Sequence, residues 1–340
     1  MSDKVQLFVG LDYHQDAVQV CVLDPQGEVR LNRSVANDWR KIRDAVDAAA
    51  APLNGRVCRV GVEACCGSAD LAEELVDHAG WDVSLGHPGY VAKLRGSPDK
   101  SDFSDGRLVG DLVRVSYLPK VWLPPAHVRE LRQLVNYRRR LVDQRRAAKL
   151  QVGAVLREQR VRVPREVAKN RWTRAWVACA RHAADLSAQA RWVVGQTLDE
   201  IEHLDKRVAA ADARLREATA GDEVVAKLMR QEGVGEVTAW VLRAYVGRFD
   251  RFRSGKQLAR YCGMSPRNAS SAAKVGDAGL VDGCNKLLRA TVVQASHRLA
   301  RTSDRWSKLY DSLRARGKNA CVAAAAVGNR WLRNLYHAMK

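Results

Sequence analysis

Val5-Gln6-Leu7-Phe8-Val9-Gly10-Leu11-Asp12 is an apolar run of strand length that ends on a carboxylate. Residues 17–23 and 29–35 are runs of the same kind, and Asp24-Pro25-Gln26-Gly27 between them is a turn. Together the three predict a meander. A helical pattern follows over residues 38–51, then a strand over 57–62, a helix opening at Ser68 and a short strand over 82–85. Hairpin strands followed by strand and helix alternation specify a mixed α/β sheet.

Asp12 closes the first strand and Glu63 closes the strand at 57–62, so two strands deliver acids at the same kind of boundary. Asp102 and Asp105 stand three apart in Asp99-Lys100-Ser101-Asp102-Phe103-Ser104-Asp105-Gly106-Arg107, before an apolar-periodic stretch. At a helix start they share one face. Taken singly, each acid is an ordinary turn residue or a helix N-terminal charge. Jointly, four carboxylates at strand and helix ends suit hard cations, which need oxygen ligands and assist phosphodiester cleavage. The order of elements resembles an RNase H or RuvC-like nuclease core.

The chain has 340 residues, 46% of them hydrophobic, enough for two or three folded units. No apolar run approaches the ~20 residues that cross a bilayer, and Met1-Ser2-Asp3-Lys4 lacks a signal pattern, so a cytoplasmic protein with no membrane partner is expected. Eight cysteines without C-x-x-C spacing indicate neither a zinc ribbon nor a secreted disulfide framework, and are expected to be reduced and mostly buried. The net charge of +19 points to a polyanion, with nucleic acid as the leading partner.

Residues 126–160 contain no proline, and Leu134, Leu141, Ala148 and Val155 recur every seven residues beside Val128, Val135, Val142 and Leu156. That pattern predicts a long helix able to pair in a coiled coil or bundle. The same stretch holds ten Lys/Arg against three Asp/Glu, a surplus that suits a phosphate backbone, with Arg138, Arg139, Arg140, Arg145, Arg146 and Lys149 as candidate contacts. A second helical region is expected over 172–220, after a break at Pro164. From Asp222 onward the chain reads as helical with two Gly-rich or Ser-rich interruptions. Gly233-Val234-Gly235 fits the turn of a helix-hairpin-helix, whose backbone N–H groups can hold a phosphate; such a turn is also common with no ligand.

The spacing Gly10-Leu11-Asp12, Val62-Glu63-Ala64 and Asp102-x-x-Asp105-x-Arg107 resembles the DEDD set of the insertion-sequence one-ten family of transposases and related site-specific DNA invertases. Gly247-Arg248-Phe249, Gly263-Met264-Ser265-Pro266-Arg267 and Leu288-Arg289-Ala290 resemble landmarks of that family's C-terminal domain. The resemblance implies a RuvC-like metal-dependent domain over 1–125, a helical coiled-coil arm over 126–221 and a mostly α C-terminal transposase domain over 222–340. It implies a nucleophilic serine five residues after Pro266, which is Ser271, with Ser270 one residue away; read without the family, the pair is a polar loop. Ala272-Ala273 and Leu280-Val281-Asp282-Gly283 depart from the family pattern, the latter lacking a lysine before its glycine.

The implied activity is DNA recombination by phosphodiester strand transfer, with Mg²⁺, or Mn²⁺ in its place, on Asp12, Glu63, Asp102 and Asp105. The implied partners are double-stranded donor and target DNA, a non-coding guide RNA, and further copies of the chain in a dimer or tetramer, with the apolar rows of the arm as one contact. Two other readings remain open: a Holliday-junction-type endonuclease using water on the same acids, and a non-catalytic nucleic-acid-binding protein.

Overall fold

The computed structural model describes residues 4–95, 101–269 and 276–340. It divides into two compact units, Met1–Ala126 and His127–Lys340.

The first unit runs β1 (Val5–Tyr13), β2 (Ala17–Leu23), β3 (Val29–Ala36), α1 (Trp39–Ala50), β4 (Gly55–Glu63), α2 (Ser68–Ala79), β5 (Val83–Gly86), α3 (Pro88–Val91), α4 (Asp102–Arg114) and β6 (Lys120–Val121). The six strands form one sheet in the order β3-β2-β1-β4-β5-β6. β1 pairs antiparallel with β2 and parallel with β4, and β5 runs parallel to β4. Every strand and helix read from residues 5–85 is present. β6 was not foreseen, because a two-residue strand has no periodicity to read.

Strand alternation sorts the two faces of this sheet. Leu7, Val9 and Leu11 of β1 and Val60 and Val62 of β4 join Ile42 and Val46 of α1 and Leu71 and Leu75 of α2 in one core. On the opposite face α4 crosses β1, β2 and β4. Glycine permits that crossing: a Cβ on Gly10 would lie 2.0 Å from the Gly106 carbonyl oxygen and 2.3 Å from the Gly110 nitrogen. A Cβ on Gly61 would lie 2.3 Å from a Val113 methyl. The helix therefore touches the strand backbone, with Val109, Leu112 and Val113 forming a small core with Val91 and Leu118.

The second unit opens with α5 (Ala126–Glu158), α6 (Arg165–Ala168), α7 (Arg174–Arg181) and α8 (Ala188–Ala218). α9 (Glu223–Met229), α10 (Glu236–Val246), α11 (Gly255–Tyr261), β7 (Pro266–Asn268), β8 (Asp277–Leu280), α12 (Lys286–Thr302), α13 (Asp304–Ala315) and α14 (Ala320–Met339) follow. The antiparallel β7–β8 pair lies in a region read as helical with polar interruptions. Leu131, Val135 and Leu215, at one end of the long helices, share a core with Trp240, Met264, Leu288 and Trp331.

The apolar rows of α5 meet α8 of the same chain. Leu141 packs with Leu204, Val208 and Ala211, and Ala148, Val152 and Leu156 pack with Val194, Leu198 and Ile201. The buried members of the rows thus pack within the chain, which is the bundle alternative of the sequence reading. α8 carries a complementary apolar stripe, so the buried side chains of the row have their partner within the chain. The cysteines also differ from expectation: all eight are free, but Cys21 and Cys262 alone are buried, while Cys65, Cys66 and Cys321 are exposed. Cys65 and Cys66 sit in the turn between β4 and α2, and Cys321 in the first turn of α14. No helix among the described residues is long and apolar enough to cross a membrane.

Candidate metal centre and nucleic-acid interface

Leu11 of β1 is in register with Val62 of β4, so Asp12 and Glu63, one residue further on, stand side by side at the same end of adjacent parallel strands. Alternation places both on the face covered by α4. The first turn of α4 brings the other two acids. Ser101 caps that helix by accepting from the Ser104 N–H, with the Ser104 side chain returning the bond, and Asp102 and Asp105 then occupy the first turn. The helix N-terminus favours negative charge there. Asn32 of β3 donates to the Phe103 carbonyl at 3.0 Å, and Gln19 of β2 donates to Asn32 at 2.7 Å, so a chain of amides ties this turn to the sheet.

His14, just beyond β1, joins Asp12 and Asp102 in one close group, which does not include Glu63 or Asp105. Its Nε2 lies 3.2 Å from Asp12 Oδ2 and 3.4 Å from Asp102 Oδ1. The ligand atoms of Asp12, His14 and Asp102 all lie within 4.8 Å of one another. Asp105 is buried and accepts from Arg95 Nη2 at 2.6 Å. Burial raises the Asp12 carboxyl above the ordinary carboxylate value; Asp105 and Asp102 add to the rise, and His14 opposes it. Like charges held this close need a counter-charge, and an oxygen-rich set with one imidazole fits a divalent cation. The sequence reading missed His14 and Arg95. The Asp12-x-His14 spacing was the available signal for the first; Arg95 has none, being brought in by tertiary packing.

The expected contacts of the arm divide into two groups. Arg138 is bonded to Asp212, Arg139 to Asp143 at 2.8 Å and Arg145 to Asp205 at 2.5 Å. Arg140 lies over the Tyr137 ring. Arg145, Arg146 and Lys149 also line an open groove of about 300 Å³ with Val142, Leu150, Arg171 and Trp172. The Lys149 ammonium lies 4.9 Å from the Trp172 ring centre, and burial, then Arg145, push its pKa down. Asp205 is the acid bonded to the groove's Arg145, so the groove retains an excess of positive charge that suits an anion. Arg171 and Trp172 were not read as site residues, because they come from a separate segment.

Gly233 has φ +82°, and a Cβ there would meet Leu299 at 2.7 Å, so backbone conformation and packing both require glycine. Gly235 caps α10 from an extended conformation with open space around it. Glu236, in the first turn of α10, is held by Arg216 through bonds of 2.7 and 2.9 Å, which lower its carboxyl pKa. Its charge at that helix start is thus compensated. Ser270 and Ser271 lie outside the described residues. Before them, Asn329 donates to the Met264 carbonyl at 2.9 Å. Gly263, at φ +72°, has no room for a Cβ against Cys284 and Arg289.

Two family models match the chain. A DEDD transposase model of the IS110 type, described as "Transposase", covers residues 9–160, and one described as "Transposase IS116/IS110/IS902 family" covers residues 225–311. The chain is 25% identical over 323 residues to the "Transposase for insertion sequence element IS1111A" of Coxiella burnetii, covering 93% of this chain and 86% of that protein. It is 25% identical over 283 residues to the "Probable family 20 transposase" of Pseudomonas aeruginosa, covering 82% of this chain and 83% of that protein. With the "Transposase for insertion sequence element IS1328" of Yersinia enterocolitica it shares 24% identity over 280 residues, 81% of this chain and 82% of that one.

Proposed function

The chain belongs to the IS110 family of insertion-sequence transposases, and from that premise we propose that it cuts and rejoins DNA with a divalent cation held by Asp12, Glu63, Asp102 and Asp105 and with Ser271 as nucleophile. The observation that carries the reading is the delivery of acids from β1, β4 and the glycine-packed start of α4 to one end of one sheet face. The strand order, with Asp12 next to the end of β1 and Glu63 at the end of β4, supports the RuvC-like assignment of residues 1–125. Gly233 and Gly235, in the turn between α9 and α10, support a helix-hairpin-helix within residues 222–340.

A bound Mg²⁺ or Mn²⁺ supplies Lewis acidity toward phosphate oxygens. The residues do the rest. Asp12 and Asp102, close to one another and to His14, would hold the cation, and Arg95 orients Asp105 through its bond of 2.6 Å. The Ser271 oxygen bonds to phosphorus as one phosphorus–oxygen bond of the DNA chain breaks. The serine proton leaves to a base and the departing deoxyribose oxygen takes one up. The resulting phosphoserine ester retains the phosphodiester energy, so attack by a new DNA hydroxyl restores the serine and rejoins the strand without ATP.

Arg146, Lys149 and Arg171 are assigned to nucleic-acid backbone contact, with Arg138, Arg139, Arg140 and Arg145 supporting them through the arm. Gly233 and Gly235 shape the phosphate-facing turn. The family resemblance supports a guide RNA and a dimer or tetramer as partners. Cleavage of element-end DNA tests the acid site. Asp12→Ala, Glu63→Ala, Asp102→Ala and Asp105→Ala are each expected to lower the rate by about a thousandfold or more, the effect of losing several kcal/mol of charge stabilisation, with DNA binding retained. Full activity of any of them, or of the wild type in excess chelator, removes that residue or the metal from the reaction.

A further inference from the structure

We propose that His14 is a direct nitrogen ligand of the catalytic cation, making the site a mixed nitrogen–oxygen centre that favours Mn²⁺ over Mg²⁺. The inference rests on the metal-dependent reading above and adds a ligand outside the four acids.

His14 bonds to Asp12 at hydrogen-bond length when no ion is present, and the same placement suits a ligand. A protonated imidazole clamped between carboxylates forms charge-assisted bonds of about 2.7–2.9 Å. Here a single atom, Nε2, faces two different carboxylate oxygens at 3.2 and 3.4 Å. Neighbouring ligands on one ion, with bonds of about 2.0–2.3 Å at right or tetrahedral angles, stand roughly 3.0–3.5 Å apart. The two separations from His14 Nε2 fall in that range, and the ligand atoms of all three residues lie within 4.8 Å of one another.

The ring is also placed for this task by its backbone. The His14 N–H donates to the Ala17 carbonyl at 2.9 Å, closing the turn between β1 and β2. Asn37 Nδ2 lies 3.0 Å from each of the His14 and Gln15 carbonyl oxygens. The side chain is 52% exposed, so it fills no core position and its orientation serves the cluster. Mg²⁺ selects oxygen ligands, whereas imidazole suits transition metals. One nitrogen among carboxylates therefore shifts preference toward Mn²⁺ without excluding Mg²⁺.

Pulsed electron paramagnetic resonance of the full chain loaded with Mn²⁺ reads the bond directly. Wild type should show ¹⁴N coupling from a directly bound imidazole, and both His14→Asn and His14→Gln should lose it. In these variants Mn²⁺ affinity, measured by calorimetry, should fall about tenfold or more while Mg²⁺ affinity falls less. The exposed position predicts unchanged unfolding of the metal-free variants. Mn²⁺ bound in an Asp12-dependent way without nitrogen coupling would overturn the His14 assignment and leave the acid site standing. Equal losses of Mn²⁺ and Mg²⁺ affinity would overturn the preference. No Mn²⁺ binding by wild type would overturn the acid site, and His14 with it.

Discussion

The acid cluster of the sheet and the basic face of the arm treat charge in opposite ways. Asp12, Asp102 and Asp105 are gathered by backbone-level packing of α4 on β1, and among the described residues Arg95 is bonded to Asp105 alone while Asp12 and Asp102 face His14. On the arm, three of the six basic residues read as contacts are bonded to acids of the same chain: Arg138 to Asp212, Arg139 to Asp143 and Arg145 to Asp205. The comparison teaches that formal charge and functional charge differ. What a fold leaves uncompensated is what it offers to a ligand, so the site seeks a cation and the groove around Arg146, Lys149 and Arg171 seeks an anion. The net charge of +19 overstates the surface given to nucleic acid.

The largest effect that could break this comparison comes from a residue with no charge. Gly10→Val places a side chain where the Gly106 carbonyl oxygen and Gly110 nitrogen already stand. It is expected to push α4 from the sheet, cost about 3 kcal/mol or more of stability and abolish cleavage. Chemical denaturation and a cleavage assay check both. Native activity in Gly10→Val would mean that the acids do not depend on the crossing.

A smaller effect separates compensated from uncompensated cations. Reversing Arg146, Lys149 and Arg171 to Glu should weaken nucleic-acid binding across sequences and reduce its log–log salt slope by roughly 0.7–0.9 for each phosphate no longer neutralised. Reversing Arg138 and Arg139 should move the slope less and lower the thermal midpoint more, because it opposes Asp212 and Asp143 with like charge. Equal slope changes would show that the intrachain pairs open in the complex.

The smallest effects are pH-dependent and have opposite signs at two aspartates of the same sheet. The Asp12 carboxyl is raised, first by burial. Its ionised form therefore opposes folding above the raised value, and that cost is relieved as pH falls through it. Burial also raises Asp24, but the Arg30 bond, the Glu28 N–H and the Gln26 N–H outweigh it and hold the carboxyl low. Asp24 thus stabilises the fold above its unfolded value near 3.8 and loses that contribution as pH falls through the lower folded value. In metal-free protein at neutral pH, Asp12→Asn should raise the thermal midpoint and Asp24→Asn should lower it, each by about 2–4 °C, the shift produced by about 1 kcal/mol. Equal signs would remove the distinction between the two carboxylates.

Much of this was legible in the residues. The apolar runs ending at Asp12 and Glu63 located both acids and the central strands, because period-two alternation and turn residues are local signals. The crossing of α4 was not legible, since Gly10, Gly61, Gly106 and Gly110 acquire meaning when a helix lands on a strand. His14 was missed because one histidine in a polar turn has many uses until Asp102 arrives from 88 positions away. The heptad row was read as apolar with a bundle and a contact between copies both offered, as periodicity gives a face and not the partner that covers it. The pairing of arm arginines with Asp205 and Asp212 was hidden for the same reason.

The central claim is that these acids serve a serine that becomes joined to DNA. Wild-type protein incubated with element-end DNA and Mg²⁺, then denatured and digested, should yield a peptide carrying a nucleotide on Ser271, detected by mass spectrometry. Ser271→Ala and Asp12→Ala should both lose it, the first while still binding metal and DNA. Cleavage at the normal rate by Ser271→Ala with no adduct on any residue would contradict the account and make water the nucleophile.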